Sequence, residues 1–263
     1  MLTRISGVVL RNIYLYRRSV TRSMQIIFWP VMDLLVWGFL TTYLDSFEGE
    51  ASRAAVFLIG SLIFWDFLYR TQQAISLAIT EEIWVKNVIN LFVAPISVPE
   101  LLIGWSFIGL IKGMLTAILL GVLAYFFYGF QILDLGLPML GYFFSLLMFG
   151  WAVGMVTSAM IIRFGHAAEA LVWGVPFLIQ PFAAVFYPVS VLPEWLQWFS
   201  LALPATHVFE GMREILQTGV YSWGPLINSL MLNALYLTIG SFFFAWMLKR
   251  ARDKGYLARL GME

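Results

Sequence analysis

Four ionisable residues, Asp33, Asp66, Arg70 and Lys112, lie inside otherwise apolar stretches. A charge at that depth costs several kcal/mol unless it is paired or hydrated. Counting about 1.5 Å per helical residue, all four fall between the membrane midplane and the cytoplasmic side. Asp66 and Arg70, four apart, can pair within one helix. Asp33 and Lys112 have opposite sign and similar depth, and pairing between helices is expected for them. Three uses fit these charges: structural ion pairs that hold a bundle together, the lining of a cytoplasm-facing path for a polar headgroup, or proton coupling through Asp33 or Asp66.

Other chemistry lacks its parts. His166 and His207 are expected on opposite sides of the membrane, and neither H-E-x-x-H nor G-x-S-x-G occurs, so no catalytic residue and no metal site is assigned. With zero cysteines there is neither a disulfide nor a thiolate site. No G-x-x-x-x-G-K-[ST] phosphate loop is present, so nucleotide phosphates have no backbone cradle in this chain. A net charge of +1 gives no sign of nucleic-acid binding.

The elements that must position these residues are membrane helices. The 263 residues are 61% hydrophobic and 12% charged, with a mean hydropathy of +0.84, which excludes a soluble globule. Without β alternation or internal repeats, the expected fold is an all-α integral membrane protein forming one domain over 1–263. Stretches near the roughly 20 residues a span needs occur at 24–44, 55–78, 101–128, 136–162, 169–188 and 225–248, giving six expected spans. Residues 1–23 lack the apolar core of a cleavable signal and are expected to remain as an interfacial helix, with Arg4, Arg11, Arg17, Arg18 and Arg22 snorkelling toward headgroups. Those five, Lys86, Arg163, Lys249, Arg250, Arg252, Lys254 and Arg259 fall on one side, against Arg53 and Arg213 on the other. The bias puts both termini in the cytoplasm. Gly109 with Gly113, and Gly150 with Gly154, have the spacing of close helix packing or dimerisation.

Two polar interruptions stand out. In Thr80–Phe92, Thr80 can cap a short amphipathic helix with Glu81 and Glu82 in its first turn; Trp84, Val88 and Leu91 share one face, and Glu82, Lys86 and Asn90 the other. The second runs from 191 to 216. Pro193 suits the start of a helix bearing Trp195 and Trp198, Pro204 ends it, and Thr206 can cap a second helix in which Glu210 precedes Arg213 by three residues. Two such short apolar-faced helices read as an external re-entrant hairpin, an outer lid packed against protein.

The basic amphipathic N-terminus, the six spans, the Glu-rich helix after the second, and Leu192-Pro193-Glu194-Trp195-Leu196 followed by Pro204, Glu210 and Arg213 together resemble the ABC-2 family, the membrane subunits of ATP-binding-cassette exporters. The resemblance implies that 80–92, with Glu81, Glu82, Trp84 and Lys86, is the coupling helix that docks on an ATPase. It implies that Trp195, Trp198, Glu210 and Arg213 belong to the external re-entrant helices. Leu203-Pro204 stands where the family often has Asn-Pro. ATP and magnesium would then be bound by a separate ATPase chain, with no cofactor in this one. Two copies of the permease would pair as a homodimer with two ATPase subunits, in contact with membrane lipid and without nucleic acid. The expected location is the bacterial cytoplasmic (inner) membrane, multi-pass. Spans nearly free of charge at 171–185 and 226–246 favour an apolar or amphipathic cargo, drug-like, lipid or glycolipid. Polysaccharide export is an alternative, and so is ion- or proton-coupled secondary transport using Asp33 and Asp66.

Overall fold

The computed structural model describes residues 1–45 and 50–256. The expected first outer loop, 45–50, and Arg259 therefore lie largely outside the described residues. The chain forms α1 (Leu2–Arg18), α2 (Val20–Asp45), α3 (Glu50–Trp84), α4 (Val88–Val93), α5 (Val98–Tyr128), α6 (Pro138–Phe164), α7 (Leu171–Phe182), α8 (Glu194–Leu201), α9 (Pro204–Thr218) and α10 (Trp223–Asp253), with three short 3₁₀ turns and no strand among the described residues.

Four helices are long and apolar enough to cross a membrane: α2, α5, α6 with the turn that follows it, and α10. The fifth long helix, α3, has 35 residues, but Asp66, Arg70, Gln72 and Gln73 dilute its apolar character. Its position explains how it carries them. α3 lies at the centre, packed by α2, α5, α6 and α7, and nearly every side chain from Phe57 to Ile83 is buried or half-buried. A helix solvated by protein on all sides can hold polar groups that lipid would reject.

The expected span 169–188 is not one helix. α7 has 12 residues, about 18 Å at 1.5 Å per residue and short of a hydrocarbon core of about 30 Å. Pro176 and Pro181 lie within it, each without an N–H for the helical ladder, and Ala184 just beyond takes φ 51°, so the chain turns away.

Thr80–Phe92 is likewise not the single capped helix expected from its periodicity. Thr80 is fully buried inside α3, and its hydroxyl donates to the Ser76 carbonyl at 2.9 Å. The helix continues to Trp84 and breaks where Lys86 adopts φ 55°, before the six-residue α4. Burial of Ile79 and Ile83 against Leu101 and Trp105 carries the helix past the point where Thr80 could start one. In the 191–216 segment, Pro204 opens α9 rather than ending α8, and Thr206 sits inside α9, donating to the Ser200 carbonyl at 2.6 Å.

The glycine pairs act within the chain. A Cβ on Gly109 of α5 would lie 3.3 Å from Thr71 backbone; on Gly150 of α6 it would lie 3.1 Å from the Gln72 nitrogen, and on Gly154 2.8 Å from the Gln72 carbonyl oxygen. α5 and α6 thus grip one stretch of α3 from different sides, backbone close to backbone. Polar links fasten α10: Asn233 donates to the Ser145 carbonyl at 2.9 Å and to its hydroxyl at 2.7 Å, and Ser229 donates to the Pro204 carbonyl at 2.7 Å.

Because the Gly154 contact is with backbone, a larger side chain has no flexible neighbour to displace. Gly154→Leu is expected to destabilise the fold by about 1–3 kcal/mol, read as a lower Tm in detergent. An unchanged Tm with altered oligomer size would instead assign this glycine to an interface between chains.

Candidate functional site

At the end of the bundle where α3 finishes and α5 begins, here the basal end, opposite charges gather from four elements, α1, α2, α3 and α5. α1 does not lie apart on a surface. It runs beside α5 in the same direction: the N-terminal amine and Arg4 lie 3.8 and 3.5 Å from Glu100, Val8 fills the space over Gly104, and Tyr16 meets Lys112. From the same stretch Arg11 pairs with Glu82, and Arg22 reaches Glu81 at 3.2 Å. Asn87 also donates to Glu82 at 2.6 Å, tying the turn after α3 to the pair.

Each carboxylate is set by its surroundings. Glu100 caps α5, accepting the Ser97 N–H at 2.8 Å and the Ser97 hydroxyl at 2.9 Å. Those donors first, then Arg4 and the N-terminal amine, hold its carboxyl below the usual range. Burial pushes Glu81 the other way, with Arg22 opposing. Glu82 is buried and therefore depends on Arg11, whose side chain is 45% exposed.

Beyond this clasp the turn is open. Trp84, Val85 and Lys86 are exposed, and the Trp84 indole N–H donates to Glu169 at 2.7 Å, which also binds His166. Glu82 and Lys86 therefore do not share a solvated face: one is buried in an ion pair and the other exposed on the turn. Sequence spacing could not reveal the clasp, because Arg11 and Glu82 are 71 positions apart and Arg22 and Glu81 are 59 apart. The only advance signal was an excess of arginine before the first span facing a run of glutamates.

Of the charges deeper in the bundle, Asp66 and Arg70 form the ion pair their spacing allows, at 3.2 Å with a second contact at 3.4 Å, both side chains buried and Arg70 5.7 Å from the Tyr69 ring centre. The expected pair of Asp33 and Lys112 does not form. Lys112 donates to the Tyr16 hydroxyl and lies 4.1 Å from that ring's centre, while Asp33 of α2 is exposed. The physical reason is the course of α1, which delivers a phenol to Lys112 that a surface-lying helix could not.

At the opposite end Arg213 is a hub. It pairs with Glu210 at 2.6 Å, donates to the Ala184 carbonyl at 3.2 Å and stacks over the Phe57 ring at 4.1 Å. Glu210 in turn accepts the Val189 N–H at 2.8 Å. Burial lowers the Arg213 guanidinium's proton affinity and Glu210 restores part of it. This joins α9, the strained bend after α7 and the first buried turn of α3. Trp195 and Trp198 take no part; they are 73% and 79% exposed on α8. His207 contacts the Leu201 carbonyl at 2.8 Å, a local bond within the hairpin. A cleft of about 540 Å³ opens nearby between α5 and the start of α6, lined mainly by apolar side chains that include Met114, Ile118, Tyr125, Phe130 and Phe143.

An all-helical bundle with four helices long and apolar enough to cross a membrane is that of an integral membrane protein. Residues 8–217 match the ABC-2 type transporter family, and the chain belongs to that family. It is also 38% identical over 76 residues to ABC transporter G family member 20 of Dictyostelium discoideum, a match covering 29% of this chain and 10% of that protein. The matched part is thus about a tenth of the relative's length.

Two outcomes follow from the geometry. Arg11→Glu or Glu82→Arg alone should lower the Tm, by the equivalent of about 1–3 kcal/mol given that Arg11 is half exposed, whereas the double exchange recovers most of it; additive losses would dissolve the clasp. Arg213→Gln should cost about 2–4 kcal/mol, because it leaves Glu210 without its cation and the Ala184 carbonyl without its donor. Trp195→Ala with Trp198→Ala should leave the Tm in place, and differential scanning of this double variant beside Arg213→Gln checks the contrast.

Proposed function

We propose that this chain is the permease subunit of an ABC exporter, moving an apolar or amphipathic substrate out of the cytoplasm or inner leaflet. In this reading α3 and α7 with its bend complete six membrane segments and both termini are cytoplasmic. ATP and magnesium are bound by a separate ATPase subunit, and two permease chains work with two ATPases in a bacterial cytoplasmic membrane. Beside the family membership, one observation carries the reading. The basal turn at Trp84–Lys86 is exposed, yet it is rooted through Glu82 and Asn87 in the clasp on α1. A partner that pushes on this turn would move α1, α3 and α5 together. The apolar lining of the cleft beside α5 and the absence of charge from α7 and from 226–246 of α10 support an apolar or amphipathic cargo.

The ABC ATPase partner follows from the family and from the relative's description as an ABC transporter. Docking by Trp84 and Lys86, with Glu81 and Glu82 holding the turn behind them, is part of the proposal, as is a lid formed by Glu210 and Arg213 with Trp195 and Trp198 as its membrane anchors. Binding energy at the basal end would become a shift of population at the other.

Affinity purification of the tagged chain from its native membrane in mild detergent, with mass spectrometry and an ATPase assay on the eluate, tests this directly. A stoichiometric subunit with a phosphate-binding loop is expected, and it should be lost from Trp84→Ala/Lys86→Glu while that variant keeps the wild-type Tm. A chain that elutes alone, without ATPase activity, under conditions that preserve other ABC complexes would overturn the reading.

A further inference from the structure

The five arginines ahead of Met24 divide into two sets. Arg4, Arg11 and Arg22 reach Glu100, Glu82 and Glu81. Arg17 and Arg18, in the last turn of α1, are exposed and pair with no carboxylate among the described residues. Two positive charges therefore remain uncompensated at the break between α1 and α2, where Ser19 is extended.

Depth decides what can reach them. Tyr16, next to the pair, meets Lys112 of α5. From Lys112 to Tyr128, α5 extends about 24 Å, and from Lys112 back to Val98 about 21 Å. Tyr125, Phe126 and Phe127 are exposed at the far end of α5, where an aromatic belt marks the membrane interface. Counting a hydrocarbon core of about 30 Å from that belt puts the other boundary about six residues from Lys112, on the side toward Val98. Arg17 and Arg18 are thus within snorkelling reach of the phosphate layer. Around the pair, Ile13, Tyr14, Val20 and Met24 are 42%, 55%, 77% and 54% exposed, an apolar surface that continues from the guanidinium groups along α1 and α2.

We propose that Arg17 and Arg18 seat the phosphate of an anionic phospholipid in the basal leaflet, with its acyl chain along Tyr14, Val20 and Met24. The seat uses none of the residues assigned to the ATPase contact at 84–86, so failure of that docking would leave it standing. The pair caps the negative end of the α1 dipole as well, so a bound phosphate and the last carbonyls of α1 share the two guanidinium groups.

The test uses the purified full chain in detergent, titrated by native mass spectrometry with phosphatidylglycerol and with phosphatidylcholine of matched acyl chains. Wild type should retain phosphatidylglycerol preferentially. Arg17→Gln/Arg18→Gln should weaken that lipid by about twenty-fivefold, on the order of fivefold for each charge near an anionic headgroup, and leave phosphatidylcholine unchanged. Arg17→Lys/Arg18→Lys, which keeps charge and fold, should retain most of the preference. Lys249→Gln/Arg250→Gln, with equal charge lost at the end of α10, should retain it too; an equal loss there would reduce the effect to general electrostatics and overturn the seat. Displacement of the lipid by millimolar inorganic phosphate would overturn it in favour of a free-anion site. Lipid binding unchanged in Arg17→Gln/Arg18→Gln, with loss of a co-purifying protein instead, would overturn it in favour of a protein contact.

Discussion

The structure depends on keeping one polar helix out of lipid. α3 holds Ser61, Asp66, Arg70, Thr71, Gln72, Ser76, Thr80 and Glu82 on surfaces that are almost completely buried. In a bilayer these groups find no water, and each unsatisfied one costs free energy comparable to a lost hydrogen bond or more. The solution is local where it can be: Thr71 and Thr80 turn their hydroxyls back on Leu68 and Ser76, and Arg70 folds onto Asp66. Gln72 combines local and tertiary bonds, donating to Ser76 within α3 at 3.2 Å and toward Thr157 of α6 at 3.5 Å. Surrounding helices must then come close, and Gly109, Gly113, Gly150 and Gly154 are what let them.

The same constraint governs α1. A helix with five basic residues on or beside it would ordinarily stay on the membrane surface, yet here it lies along α5 because three of those charges are met. Glu100, Glu82 and Glu81 take three arginines, and Lys112, itself costly inside the bundle, gains the Tyr16 hydroxyl and ring. Each side lowers the other's cost of burial, so neither the carboxylates nor Lys112 should be read as isolated groups awaiting cargo. Asp33 differs, since its carboxylate remains exposed on α2.

Much of this was legible in the residues, for reasons that also mark where reading stopped. Long apolar runs gave the positions of α2, α5, α6 and α10 because helix length against bilayer thickness is a strong signal. The ion pair of Asp66 and Arg70 was visible because both partners lie one helical turn apart. Thr80–Phe92 misled because its pattern of caps and faces is local, whereas Ile79 and Ile83 were already committed to the core against Leu101 and Trp105. The 169–188 run misled because composition does not reveal where two prolines and Ala184 bend the chain. The clasp and the Arg213 hub join residues tens of positions apart, and no spacing rule connects them.

Both hubs act on the same rod. Glu82 near one end of α3 is held by Arg11, and Phe57 near the other lies beneath the Arg213 guanidinium. The helix between them extends about 38 Å, and backbone contacts from α5 and α6 leave its middle little room to bend. A displacement imposed on the basal turn therefore cannot be absorbed within α3; it must tilt or slide the whole helix against α5 and α6. Phe57 would then move under Arg213, and the pins on Glu210 and Ala184 would feel that motion without any contact to the turn where it began. In the exporter proposed above, this makes α3 the element that conveys work across the membrane, and it gives a reason for a helix so polar to be enclosed so completely. A lipid-facing helix could flex and dissipate the motion; one clamped along its length transmits it.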